Sequence, residues 1–125
     1  MKESIRYLQN AREILKKAPR EGRFYTDVKP VREACSTAYL SILEAINEYL
    51  VSRGLSKKEL PKSVEAYQKV LRKYLGIHNG KLFREFDILY DELHIAGYYR
   101  GLLHRVDVVH DVLKGAHEFI EKLFK

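Results

Sequence analysis

Residues 31–50 are apolar across too broad a front for a helix that meets a single neighbour. Val31, Cys35, Ala38, Ile42, Ala45 and Tyr49 form one row, and Tyr39, Leu43, Ile46 and Leu50 form a second, at helical spacing. One such row makes an amphipathic surface helix, whereas two adjacent rows need cover from more than one side. The segment is therefore expected at the centre of a helical bundle. Asp27 and Pro30 supply its start signals, because proline is pre-shaped for a first helical turn. Gly54 is its natural stop.

The other periodic stretches carry narrower stripes. Ile5, Leu8, Ala11, Leu15 and Ala18 mark a first helix that Pro19 ends, and residues 20–29 follow as a polar connection holding Phe24 and Tyr25. Ser56 and Glu59 have capping-box spacing and predict a short turn before Pro61. Val64, Tyr67, Leu71 and Tyr74 predict a third helix closed by Gly76. Asn79-Gly80 then opens a fourth, with Leu82, Phe86, Leu89, Leu93 and Ala96. Val106, Val109, Leu113, Ala116, Ile120 and Leu123 predict the last. The phase carries the fourth helix on through Tyr99, but Gly97 and Gly101 argue for a bend or break there. No stretch alternates with period two for long enough to make a strand. The expectation is a single all-α domain over residues 1–125, an antiparallel up-and-down bundle of four to five helices.

Composition narrows the setting. Lone Cys35 excludes an internal disulfide and fits a reducing compartment. No apolar run approaches the ~20 residues that cross a bilayer, and the first residues lack the apolar core of a signal peptide. A cytoplasmic protein with no membrane partner is expected. The formal charge of +6 is uneven: residues 1–32 and 53–84 are basic, residues 33–52 and 85–125 acidic. Basic helices lying beside acidic ones, in the bundle or across a subunit contact, are the explanation that charge alone favours, and a basic surface that attracts nucleic acid is the sharper alternative. There is no phosphate-binding glycine loop, CxxC pair or HExxH pattern, so no cofactor or metal is expected.

Unusual side chains converge in one place, Ala96-Gly97-Tyr98-Tyr99-Arg100-Gly101-Leu102-Leu103-His104-Arg105. Tyr98 and Tyr99 beside Arg100 offer rings to stack on a base and a guanidinium for a phosphate. The plainer alternative is a tyrosine that closes the core with its ring and sends its hydroxyl to water. Tyr99, which continues the apolar phase, fits that description. Tyr98, Arg100 and His104 are the better candidates for a nucleotide or RNA surface. His104, Asp107 and Asp111 share one face of the last helix and offer a metal three ligands, but a solvated helix face looks the same. His110 and His117 fall at the border of the apolar stripe, where partly buried histidines bonded to neighbours are expected. Cys35 lies in the core row as inert packing.

Ala34-Cys35-Ser36-Thr37-Ala38-Tyr39-Leu40, running on to Gly54, resembles the central helix of the HEPN superfamily, whose members are related to helical domains that accompany nucleotidyltransferases. Ala96-Gly97-Tyr98-Tyr99 is similar to the Ala-Asp-Tyr turn of small members, and Ala116-His117-Glu118-Phe119-Ile120 to their closing helix. The resemblance implies a bundle of four to five helices and a homodimer. It also implies a role with a nucleotide, RNA or a nucleotidyltransferase partner.

Active HEPN ribonucleases carry an Arg, four to six residues, then a His, and Arg105-Val106-Asp107-Val108-Val109-His110 has that spacing. The resemblance would make Arg105 the phosphate holder and His110 the general base. Within one helix these residues stand ~140° apart, so they meet only if the helix starts after Arg105 or across a dimer interface. Three functions remain open on the sequence: a binding or partner module, a metal-independent ribonuclease, and a purely structural oligomer.

Overall fold

The computed structural model describes residues 2–75 and 80–125, and its architecture is an all-α bundle. Five α-helices occur among the described residues: α1 Lys2–Lys16, α2 Val28–Ser52, α3 Val64–Leu75, α4 Gly80–Leu89 and α5 Val106–Leu123. Gly76 and Asn79, expected to punctuate α3 and α4, lie outside the described residues.

α2 is the central helix, as its two apolar rows require. Val31, Ala34, Cys35, Ala38, Ile42, Ala45 and Ile46 are wholly enclosed, and Tyr39, Tyr49 and Leu50 nearly so. α1, α5 and the segment following α4 all pack on α2, while α3 packs on α4 and α4 on α5. α1 with α2, and α3 with α4, are thus sequence neighbours that lie side by side, as short connections favour. The helix begins where Asp27 caps it, its carboxylate accepting the Lys29 N–H at 3.0 Å. It ends before Gly54, whose φ of 101° is left-handed backbone that suits glycine. The Ser56 N–H donates to Glu59 Oε1 at 2.9 Å, so the expected turn forms, as one 3₁₀ turn over Lys57–Glu59.

Two elements depart from the sequence reading. The polar connection after α1 is a small hairpin, β1 Arg20–Glu21 and β2 Phe24–Tyr25, antiparallel with Arg20 opposite Tyr25, turning at Gly22 (φ 59°). The Tyr25 N–H donates to the His104 carbonyl at 2.8 Å, and the Val106 N–H to the Arg23 carbonyl at 2.9 Å. The hairpin therefore fixes the entrance to α5. Strands of two residues are too short to show an alternating pattern.

The second departure is that the chain does not break at Gly97. α4 passes directly into a π-helical segment, Tyr90–Tyr99, with the Arg100 N–H reaching back five residues to the Ile95 carbonyl at 2.8 Å. Gly97 is buried inside this segment, against Cys35. The turn comes at Gly101, φ 60°, over Val28 and Arg32. A wider helical turn loses the phase that a spacing of 3.6 residues sets. Tyr99 accordingly faces out, 70% exposed, and does not close the core.

Among the described residues no helix is long and apolar enough to cross a membrane.

Candidate functional site

α1 and α5 lie side by side with the hairpin across one end, and between them opens a groove of about 730 Å³. Its floor is Leu15, Ala18, Tyr25 and Leu113, all buried. Its walls come from helical spacing: Arg12 and Lys16 stand four apart on α1, and His110 and Lys114 four apart on α5. Residues at that spacing share a helix face. Arg20 on β1 adds a fourth cationic side chain, and Asp111 is the one carboxylate in the lining. Lys16 also reaches Glu13 at 3.1 Å on the open surface. Burial raises the Tyr25 hydroxyl above its ordinary pKa, against the pull of Arg20 and with a smaller push from Cys35. Tyr25 is thus a neutral phenol in a cationic groove. Four cations, an imidazole and a phenol in one concavity suit an anion of more than one charge.

Of the residues expected to act together, only His110 lines this groove. It is exposed there, rather than part-buried and paired as expected; His117, half-buried, does pair with Glu121 at 3.5 Å. Arg105 sits immediately before α5, so the helix does start after it. Its guanidinium is taken by Asp107 in a two-pronged contact, Nε to Oδ1 at 3.1 Å and Nη2 to Oδ2 at 2.7 Å. Desolvation opposes ionisation of Asp107, but the bonds from Arg105 and from the Val108 N–H outweigh it and hold the carboxyl below its usual range. His104 contributes its carbonyl to the hairpin, and its side chain and that of Arg100 are exposed. Among the described residues no group of three or more His, Cys, Asp or Glu side chains is placed to hold a metal ion.

Tyr98 belongs to a different constellation, built on the π-helical segment. Its ring stacks on His94, with centroids 5.8 Å apart and planes 22° apart, and His94 stacks on Tyr90 at 5.4 Å and 29°. Tyr39 of α2 packs against both, 4.8 Å from His94 and 5.8 Å from Tyr90. Burial raises the Tyr39 hydroxyl well above its ordinary pKa, with smaller contributions from Tyr90 and Tyr67.

Reasoning from sequence missed both the cationic walls and the aromatic stack. Arg12/Lys16 and His110/Lys114 carry a faint signal, like spacing beside two apolar stripes, but only the packing of α1 on α5 joins them. Tyr90, His94 and Tyr98 repeat every four residues, which was legible; the contribution of Tyr39 was not.

A family model described as Domain of unknown function (DUF5618) matches residues 1–125. A solved structure described as a protein of unknown function from Dyadobacter fermentans is similar, with a TM-score of 0.79 and 31% identity. The match covers 97% of this chain and 90% of that one. No curated protein matches the chain significantly.

Proposed function

We propose that this chain, which belongs to the DUF5618 family, is a helical binding module that takes a phosphate-bearing ligand, a nucleotide or RNA, into the groove between α1 and α5. The observation that carries this reading is the convergence of Arg12, Lys16, Arg20 and Lys114 on one concavity with His110. Phosphate oxygens match such donors, and guanidinium groups bind them bidentately. Kinship with HEPN bundles is part of the proposal, supported by the enclosed α2 and the five-helix architecture. Self-association through the last two helices is another part. The face between α4 and α5 leaves Ile88 57% exposed beside Gly115.

Binding of a fluorescently labelled single-stranded RNA, followed by anisotropy over a range of salt, tests the module. Affinity falls as salt rises, because bound phosphates release counterions. The double variant Arg12→Ala/Arg20→Ala binds about tenfold more weakly at low salt, as expected for two lost phosphate contacts. Unchanged affinity in that variant sinks the reading. Silence with RNA and with nucleotides, in a stable dimer, leaves the structural oligomer.

RNA cleavage is a second reading, favoured by the exposed imidazole of His110 among the cations and by α5 starting after Arg105. Cleavage that disappears in both Arg105→Ala and His110→Ala, with helicity unchanged, decides for the enzyme.

A further inference from the structure

We infer that the outer face of the Tyr98 ring is a second binding site, for a planar heteroaromatic ring of the nucleobase kind, separate from the phosphate groove. Tyr90, His94 and Tyr98 form a continuous column of rings along one side of the π-helical segment. The column is graded in burial. Tyr90 and His94 are half-buried and backed by Tyr39, while Tyr98 at the end remains 41% exposed. His94 covers one face of Tyr98. With His94 on one side of it, Tyr98 is the ring of the column that keeps the most surface open to solvent. The column therefore ends in an open stacking position.

The position is also rigid. Arg32 of α2 donates from Nε to the Tyr98 carbonyl at 2.8 Å and from Nη2 to the Tyr99 carbonyl at 3.1 Å. One residue earlier, Gly97 is pressed onto Cys35 with no space to shift inward. A platform fixed before binding loses little entropy when a ligand arrives. A π-helical run of ten residues is itself unusual, since such turns occur mostly singly and often at functional sites. Here the wider turn places three rings in register while Tyr99 swings away.

The chemistry selects a flat ring. Stacked or offset rings attract through their quadrupoles and shared apolar area, and every nucleobase has such a face. Arg32 gives Nε and Nη2 to backbone carbonyls, so at this end of the column it holds the backbone beneath the ring. None of the column's residues lines the cationic groove. The inference does not rest on what that groove holds.

Adenosine, which carries a ring and no phosphate, is the probe. Saturation-transfer and chemical-shift NMR should show its H2 and H8 contacting the protein and moving upfield, with Kd in the millimolar range for a single stacked base. Tyr98→Phe retains binding. Tyr98→Leu, which keeps apolar bulk without the ring, weakens it about tenfold at unchanged helicity. Salt has little effect, and Arg12→Ala/Arg20→Ala leaves adenosine binding intact. Absence of contact, or equal contact in Tyr98→Leu, overturns the inference. Loss of adenosine in the groove variant also overturns it, placing the ring in the groove, whereas failure of the groove reading shows only in the salt-dependent RNA assay.

Discussion

Gly97 and Cys35 meet so closely that a methyl group at Gly97 would lie 2.6 Å from the Cys35 Sγ and 2.8 Å from its Cβ. This contact sets how near the π-helical segment approaches α2, and the ring column and the Arg32 clamp are both built on that approach.

Gly97→Ala is expected to destabilise the fold by about 1–3 kcal/mol, the usual cost of overpacking a filled interior. Thermal unfolding measures it. Cys35→Ala in the Gly97→Ala background should recover part of the loss, since it removes the sulfur but leaves the β-carbon. A variant as stable as the parent, with Cys35 unaltered, contradicts the contact.

Arg32→Ala removes two donors from the end of the π-helical segment. Its cost in global stability is about 1 kcal/mol, because the bonds lie at the surface. The sharper effect is local: hydrogen exchange should accelerate at Arg100 and Leu102, whose N–H groups reach back to Ile95 and Ala96. Equal protection in parent and variant excludes the clamp.

Asp107 should titrate below its ordinary value of 3.8, because Arg105 and the Val108 N–H favour the carboxylate. A carboxyl lowered in the folded state binds fewer protons there than in the unfolded chain. Its stabilising contribution is complete at neutral pH, starts to fall near 3.8, and is gone below the native midpoint. Carboxyl NMR of the parent and of Arg105→Ala tests this, with the midpoint moving up in the variant. No movement contradicts the pairing.

Burial pushes the Cys35 thiol up to about 12, from an ordinary 9.0. At pH 8 the thiolate is then roughly a thousandfold scarcer than for an open cysteine. A thiol reagent should label the native protein only as fast as it opens, and reach one equivalent in denaturant. Rapid labelling without denaturant would place Cys35 outside the core.

Ile42, Ala45 and Ile46 show how much of the fold is local information. Side chains repeating every three or four residues on two rows admit one solution, a helix covered from several sides, and that is where they lie. The candidate site was far less legible. A spacing along the chain joins Arg105 and His110, but Arg105 turns to Asp107 while His110 lines the groove with Arg12 and Arg20. A period of 3.6 residues extended through this segment places Tyr99 in the core, but the segment winds more loosely.

By itself, the sequence determined the all-α class, the identity of the central helix and most of the residues it encloses, because apolar periodicity acts within a few turns of chain. Only the tertiary structure decided where charges and rings gather. The cationic walls need α1 packed on α5, and the ring column needs Gly97 seated on Cys35. Such contacts join residues tens of positions apart, and their register is set by how whole helices pack.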